Sequence, residues 1–145
     1  YQWIETFIFQ YKEQIPKEQR ESIFQECLAK LYHAKKQYKQ AQELLLQIDT
    51  KDILRLISCK ILLAKIYYET DEIDALEALL ESLKMYLRRK EIVGYHKENY
   101  NNCVQFIQKL VRLNHFDKQA KAKLRVEIEQ VKILSVKDWL LEQIF

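Results

Sequence analysis

Two segments of this chain are near copies of each other. The string LAKLYHAKKQY begins at Leu28, and LAKIYYETDEI begins 35 positions later at Leu63. A period close to 34 residues is typical of helix–turn–helix units that stack side by side. One helix pair cannot bury both of its apolar faces, so such copies are stable only when each has a neighbour. A single compact bundle with accidental self-similarity remains the alternative.

The composition indicates that the units are helical. The chain of 145 residues contains one Gly and one Pro, whereas a β-sandwich or barrel needs many turns built from these residues. The frequent residues are Leu, Ile, Lys, Glu and Gln, which are accepted well in helices. We therefore predict an all-α fold of antiparallel helix hairpins, with about eight helices.

The apolar periodicity places these helices along the chain. The predicted ranges are about 1–14, 17–34, 38–48, 52–69, 73–90, 96–113, 118–133 and 135–145. Thr50 or Asp52 and Ser135 are the predicted N-caps, and Asp71 is the predicted cap where the helix over 52–69 ends. Gly94 is predicted to end or bend a helix.

Two of these helices have unusual apolar surfaces. The helix over 52–69 is apolar nearly all round, which predicts burial on several sides. The first helix carries Ile4, Phe7, Ile8 and Tyr11 on one face, with Trp3 and Phe9 in addition. This surplus predicts a neighbouring helix upstream, so we expect the chain, which begins at Tyr1, to be a fragment of a longer protein.

The repeat resembles the tetratricopeptide repeat (TPR). The first unit reads Leu28-Ala29-x2-Tyr32-x8-Ala41-x3-Leu45-x2-Ile48, the second keeps Leu63, Ala64 and Tyr67, and a third begins at Ile107. The whole is similar to the C-terminal part of larger bacterial TPR-like proteins. The resemblance implies one right-handed solenoid domain over 1–145, with units at about 17–48, 52–90 and 96–133 and a C-terminal capping helix at 135–145.

The resemblance also implies a binding groove, because the first helix of each TPR unit lines a concave surface. The groove positions would be Ile23, Glu26, Lys30 and His33 on one helix, and Ser58, Ile61, Lys65 and Tyr68 on the next. Glu26, Lys30, His33, Lys65 and Tyr68 are the candidate partner-binding residues. The lysines and the tyrosine suit an acidic or C-terminal peptide. Alternatively, these are ordinary surface residues of a groove that neighbouring helices fill.

No catalytic, cofactor or metal motif stands out. One glycine excludes a phosphate-binding loop, and His33, His96 and His115 lie on separate elements without zinc-ligand spacing. We therefore expect no enzyme activity, no cofactor and no metal. The acidic segment from Glu69 to Glu81 is interpreted as a solvated helix start, or else as a docking patch for a basic partner.

The charge distribution leaves one alternative function open. The net charge of +3 argues only for solubility, but a basic cluster spans 109–125. It consists of Lys109, Arg112, Lys118, Lys121, Lys123 and Arg125. A compact regulatory or nucleic-acid-associated α-helical domain would use this cluster, although Phe116 is its only aromatic residue.

The sequence favours a protein or peptide partner in a reducing compartment, the cytoplasm. Cys27, Cys59 and Cys103 are odd in number and widely spaced, which predicts buried free thiols, with one bridge as the alternative. No apolar run approaches the roughly 20 residues of a membrane-spanning helix, so no membrane partner is expected.

Overall fold

The structure, a computed structural model, describes residues 1–144 and is all-α there, as predicted. Its helices are α1 (Gln2–Tyr11), α2 (Arg20–Ala34), α3 (Tyr38–Gln47), α4 (Ile53–Glu69), α5 (Ile73–Arg89), α6 (Gly94–Arg112), α7 (Lys118–Gln130) and α8 (Lys137–Gln143). A 3-10 turn, Lys12–Gln14, follows α1, and residues 1–144 contain no strand. The solenoid arrangement of antiparallel hairpins stays a prediction.

The helices group into two compact units. The first is Tyr1–Glu72, in which α2 packs against α1, α3 and α4. The second begins at Ile73, and in it α6 packs against α5 and α8, and α7 against α8. The boundary lies between α4 and α5, inside the predicted repeat unit 52–90. One domain over 1–145 stays a prediction.

The predicted apolar stripes are largely in the core. Along α5, Leu76, Leu80, Leu83 and Leu87 are all buried, as their spacing of three and four indicates. Seven residues of α4 are buried, which agrees with its apolar circumference. Its first residue, Ile53, is exposed, because the first turn extends beyond the core.

The turns after α2 and α4 have the same geometry, 35 residues apart. Lys36 and Asp71 both adopt positive φ, at 59° and 60°. The following backbone N–H groups, of Gln37 and Glu72, each donate to a carbonyl five residues back, those of Tyr32 and Tyr67. This is the Schellman pattern that closes a helix C-terminus. Asp71 therefore closes the C-terminus of α4, where the sequence predicts a cap.

Other helix ends differ from prediction by a few residues. Asp52 caps α4 by accepting from the backbone N–H groups of Leu54 and Arg55, which confirms one of the two predicted caps. Gly94, with φ of 65°, begins α6 rather than ending a helix. The predicted helix over 17–34 begins only at Arg20, because residues 17–19 form a turn after Pro16.

The chain between α7 and α8 is held by a buried amide that the sequence did not reveal. Asn99 of α6 accepts through Oδ1 from the backbone N–H of Ser135 at 2.7 Å, and Asn102 donates to the carbonyl of Ile133. The predicted N-cap role of Ser135 is wrong, because α8 begins at Lys137 and Val136 occupies the cap position without a side-chain bond. The helix predicted over 118–133 correspondingly ends at Gln130.

The three cysteines are free thiols, as predicted. Cys59 and Cys103 are buried, whereas Cys27 is only half-buried. Among residues 1–144, no helix combines the length and the apolar character needed to cross a bilayer.

Candidate binding face on helices α2 and α4

The five candidate residues all lie in the first compact unit, on α2 and α4. Glu26, Lys30 and His33 follow one another at spacings of four and three, so they share a face of α2. Lys65 and Tyr68, three apart, share a face of α4. We name these five residues the α2–α4 face.

An ion pair joins the two helices near the start of α4. Glu26 Oε2 lies 3.2 Å from Arg55 Nε, and the two side chains are only 13% and 19% exposed. Glu26 Oε1 lies 3.0 Å from Lys30 Nζ, on the same helix. Arg55 is also 4.0 Å from Asp52, the residue that caps α4. The carboxylate of Glu26 is therefore engaged by two cations within the unit.

A second pair joins the helices near their C-termini. His33 Nε2 lies 2.5 Å from Glu69 Oε2, and both side chains are largely shielded from solvent. The ring of Tyr38, at the start of α3, lies 6.1 Å from the His33 ring. Burial, and then the negative charge of Glu69, raise the pKa of the Tyr38 phenol. The pair thus sits in a partly desolvated corner where α2 turns into α3.

The two pairs occur in the same order along both helices. Glu26 precedes His33 on α2, as Arg55 precedes Glu69 on α4. The helices therefore run in the same sense where they pack against each other. This placement agrees with the contacts that α2 makes with α4.

Of the remaining candidate residues, only Lys30 is exposed. The Lys30 side chain is 59% exposed, while Lys65 and Tyr68 are half-buried. Burial, followed by the negative charge of Asp71, raises the pKa of the Tyr68 phenol, so that this hydroxyl stays protonated and can donate. Ile61, which the resemblance also placed in the groove, is buried.

Sequence reasoning missed Arg55 and Glu69. Glu69 was interpreted as part of a solvated acidic segment, although the repeat contained a signal for its position. A stacked repeat of 35 residues places the surroundings of His33 beside those of Tyr68, the neighbour of Glu69. Arg55 gave no comparable signal, because it lies 29 residues after Glu26 and one charge near a helix start is commonplace.

Two thiols close to this charge cluster are poor nucleophiles. Burial raises the pKa of Cys59 to about 11, with the charge of Glu26 adding to the effect. Burial also raises the pKa of Cys27, although Lys30 opposes it. Because the thiolate is the reactive form, both side chains remain protonated and unreactive near neutral pH.

The basic cluster 109–125 lies in the second unit and is partly engaged there. Lys109 Nζ lies 2.7 Å from Glu127 Oε2, and Arg125 donates to the carbonyl of Ile144 at 2.5 Å. The hydrogen bond from Lys109 lowers the pKa of Glu127. Phe116, in the turn before α7, is almost fully exposed.

No group of three His, Cys, Asp or Glu side chains within residues 1–144 is arranged to hold a metal ion. Comparison with family models, curated proteins and solved structures gives no significant match to this chain. The α2–α4 face and the repeat are therefore the features of the molecule that bear on its function.

Proposed function

We propose that this protein is a non-catalytic, TPR-like helical-repeat scaffold of the cytoplasm, which binds a protein or peptide through the α2–α4 face. The observation that carries the proposal is the packing of α2 and α4 in the same sense, joined by the Glu26–Arg55 ion pair and the His33–Glu69 hydrogen bond. The first helices of successive TPR units are neighbours of this kind. The equivalent turns at Lys36 and Asp71 support the same interpretation, because they end both helices alike at the period of the repeat.

The chemistry of the face favours an acidic segment or a free C-terminal carboxylate. Lys30 and Lys65 are 35 positions apart, so the repeat gives each of the two helices a lysine at the same place. Tyr68 adds a phenol that donates a hydrogen bond. The Lys30–Glu26 pair is exposed on the lysine side and worth at most about 1 kcal/mol, so a ligand carboxylate can replace Glu26 there.

The proposal is tested with a peptide library that varies acidity and the C-terminal group, followed by titration of the selected peptide. Charge reversal in Lys30→Glu and in Lys65→Glu should each weaken binding about tenfold or more, because each removes a charge-assisted hydrogen bond worth about 1.5–3 kcal/mol. Tyr68→Phe should weaken binding by a smaller factor, since only a neutral donor is lost.

The matched control is Lys39→Glu, which makes the same charge change at an exposed position of α3. It should leave the affinity within about twofold, apart from long-range effects that salt screens. An equal loss in Lys39→Glu and Lys30→Glu would show that net charge, not this face, governs binding. Full affinity in both Lys30→Glu and Lys65→Glu would remove the face from the site.

A nucleic-acid-associated domain is the second candidate, favoured by the almost fully exposed ring of Phe116 beside Lys118. An exposed aromatic ring next to lysines is suited to stacking on a single-stranded base. Oligonucleotide binding that falls steeply with salt and is lost in Phe116→Ala would support it. Absence of binding at low salt would exclude this role for the cluster.

A further inference from the structure

Helix α1 presents an exposed row of aromatic rings. Trp3, Phe7 and Tyr11 follow one another at intervals of four residues, and neighbouring rings touch, with centroids 5.5 Å and 4.5 Å apart. Their exposed fractions are 74%, 45% and 36%. We name these three residues the aromatic ladder. Phe9, on the other side of the helix, packs edge-on against Phe24 of α2, so α1 is attached by its opposite face.

The exposed side of α1 carries no charge. The three charged side chains between residues 1 and 14 are Glu5, Lys12 and Glu13, and all of them form ion pairs within the first unit. Their partners are Lys35 at 3.6 Å, Glu21 at 3.5 Å and Arg20 at 2.9 Å. The exposed residues beside the ladder are Gln2, Thr6 and Gln10. Burying this surface therefore desolvates no ion.

The spacing of the ladder makes it complementary to itself. Trp3 and Tyr11 are each four residues from Phe7, so an antiparallel copy of α1 centred on Phe7 meets the ladder ring for ring. We propose that a second copy of this chain docks here about a twofold axis, with Phe7 facing Phe7 and Trp3 facing Tyr11 of the second copy. Twofold contacts of this isologous kind are the commonest in homo-oligomers, and this one brings no like charges together.

The available area sets the strength of the contact. A fully exposed aromatic side chain offers about 200 Å², so the three exposed fractions amount to roughly 300 Å². Ile4 and the glutamine flank increase this to about 400–500 Å² per copy, against about 800 Å² in a standard interface. The dimer should therefore be weak, with a Kd in the micromolar range or above, and in rapid exchange with the monomer.

The first experiment is sedimentation equilibrium over a wide concentration range on the wild-type chain, on Phe7→Glu and on Phe7→Lys. Each single variant places two like charges on the axis and should dimerise about tenfold more weakly or worse. An equimolar mixture of the two should recover dimer, because opposite charges then meet. Phe116→Glu, at an exposed ring of the second unit, is the control and should dimerise like the wild type.

The register is tested by oxidative cross-linking in a Cys27→Ser background, which removes the half-buried thiol. Phe7→Cys should form a disulfide-linked dimer, because a residue on the axis lies opposite its own copy, and removal of both Phe7 rings lets the two Cβ atoms approach the roughly 3.5–4.5 Å that a disulfide requires. Trp3→Cys should not, because it faces Tyr11. Trp3 is more exposed than Phe7, so cross-linking by random collision would instead favour the Trp3→Cys variant.

Three outcomes would overturn the proposal. A wild-type chain that stays monomeric at the highest concentration has no such contact, and leaves this face to the upstream helix that the surplus of apolar residues predicts. Dimerisation that survives in both charge variants uses another surface, and equal cross-linking of the two cysteine variants contradicts the register. Circular dichroism of each variant checks its folding, and Trp3→Gln, at the most exposed ring, is an independent variant that should weaken the dimer without unfolding the unit.

Discussion

Removing the charge of Glu26 should destabilise the first unit substantially. In Glu26→Gln, Arg55 keeps its position with its side chain 19% exposed, but loses the carboxylate 3.2 Å away. The gross attraction of such a pair is about 4–5 kcal/mol at an effective dielectric constant of 20. A solvent-exposed ion pair contributes at most about 1 kcal/mol to the stability of the folded state. Breaking a fully buried pair costs about 3–5 kcal/mol. With side chains mostly but not fully shielded, we expect a loss of about 2 kcal/mol in the free energy of unfolding.

The assay is urea denaturation followed by far-UV circular dichroism, with hydrogen exchange of the α2 and α4 amides as a local readout. Lys30→Ala removes the other cation of Glu26, but from a side chain that is 59% exposed, and should cost less than about 0.5 kcal/mol. The double variant Glu26→Leu with Arg55→Met replaces the whole pair by apolar groups, and should be more stable than Glu26→Gln alone.

A loss below about 0.5 kcal/mol in Glu26→Gln, equal to that in Lys30→Ala, would refute the reasoning. It would mean that water solvates Arg55 as well as the carboxylate does. The unit would then not depend on this pair to hold α2 beside α4. A double variant that is less stable than Glu26→Gln would likewise contradict the reasoning, because Glu26 and Arg55 would then contribute separately to stability.

Four further predictions concern the same unit. Glycine should stabilise the folded state at both positive-φ positions, as thermal melts can show. Lys36→Gly should raise the free energy of unfolding by about 1 kcal/mol, and Asp71→Gly by less, because aspartate tolerates this conformation better than lysine does. Between pH 9.0 and about 11 the Cys59 thiol is ionised in the unfolded chain but still protonated in the folded one. The free energy of unfolding should therefore fall over this range more in the wild type than in Cys59→Ala. In the native state Cys27 should react with iodoacetamide before Cys59, as peptide mass spectrometry can show. His33→Ala should cost about 1 kcal/mol by denaturation, since it leaves Glu69 part-buried without its partner.

Local patterns determined how well the fold could be predicted. The leucine stripe of α5 and the cap at Asp52 depend only on residues three or four apart, so periodicity and side-chain chemistry located them. Asp71 and Ser135 were assigned as caps from residue type alone. Residue type could not indicate that Asp71 adopts positive φ. Nor could it indicate that the backbone N–H of Ser135 donates to the buried amide of Asn99, which is distant in sequence.

The candidate face shows the same division between local and distant information. Helical spacing grouped Glu26, Lys30 and His33 correctly on α2, but it could not indicate that Arg55 and Glu69 would engage two of the three. Those pairs depend on the distance between α2 and α4. The polar side chains of the face therefore differ in exposure. Glu26 and His33 are shielded and join the two helices, whereas the Lys30 side chain keeps more than half of its surface in solvent. Substitutions at Glu26 and His33 should therefore change stability first, whereas substitution at Lys30 should change affinity while the unit stays folded. That contrast separates a scaffold that binds a ligand from a bundle that merely satisfies its own charges.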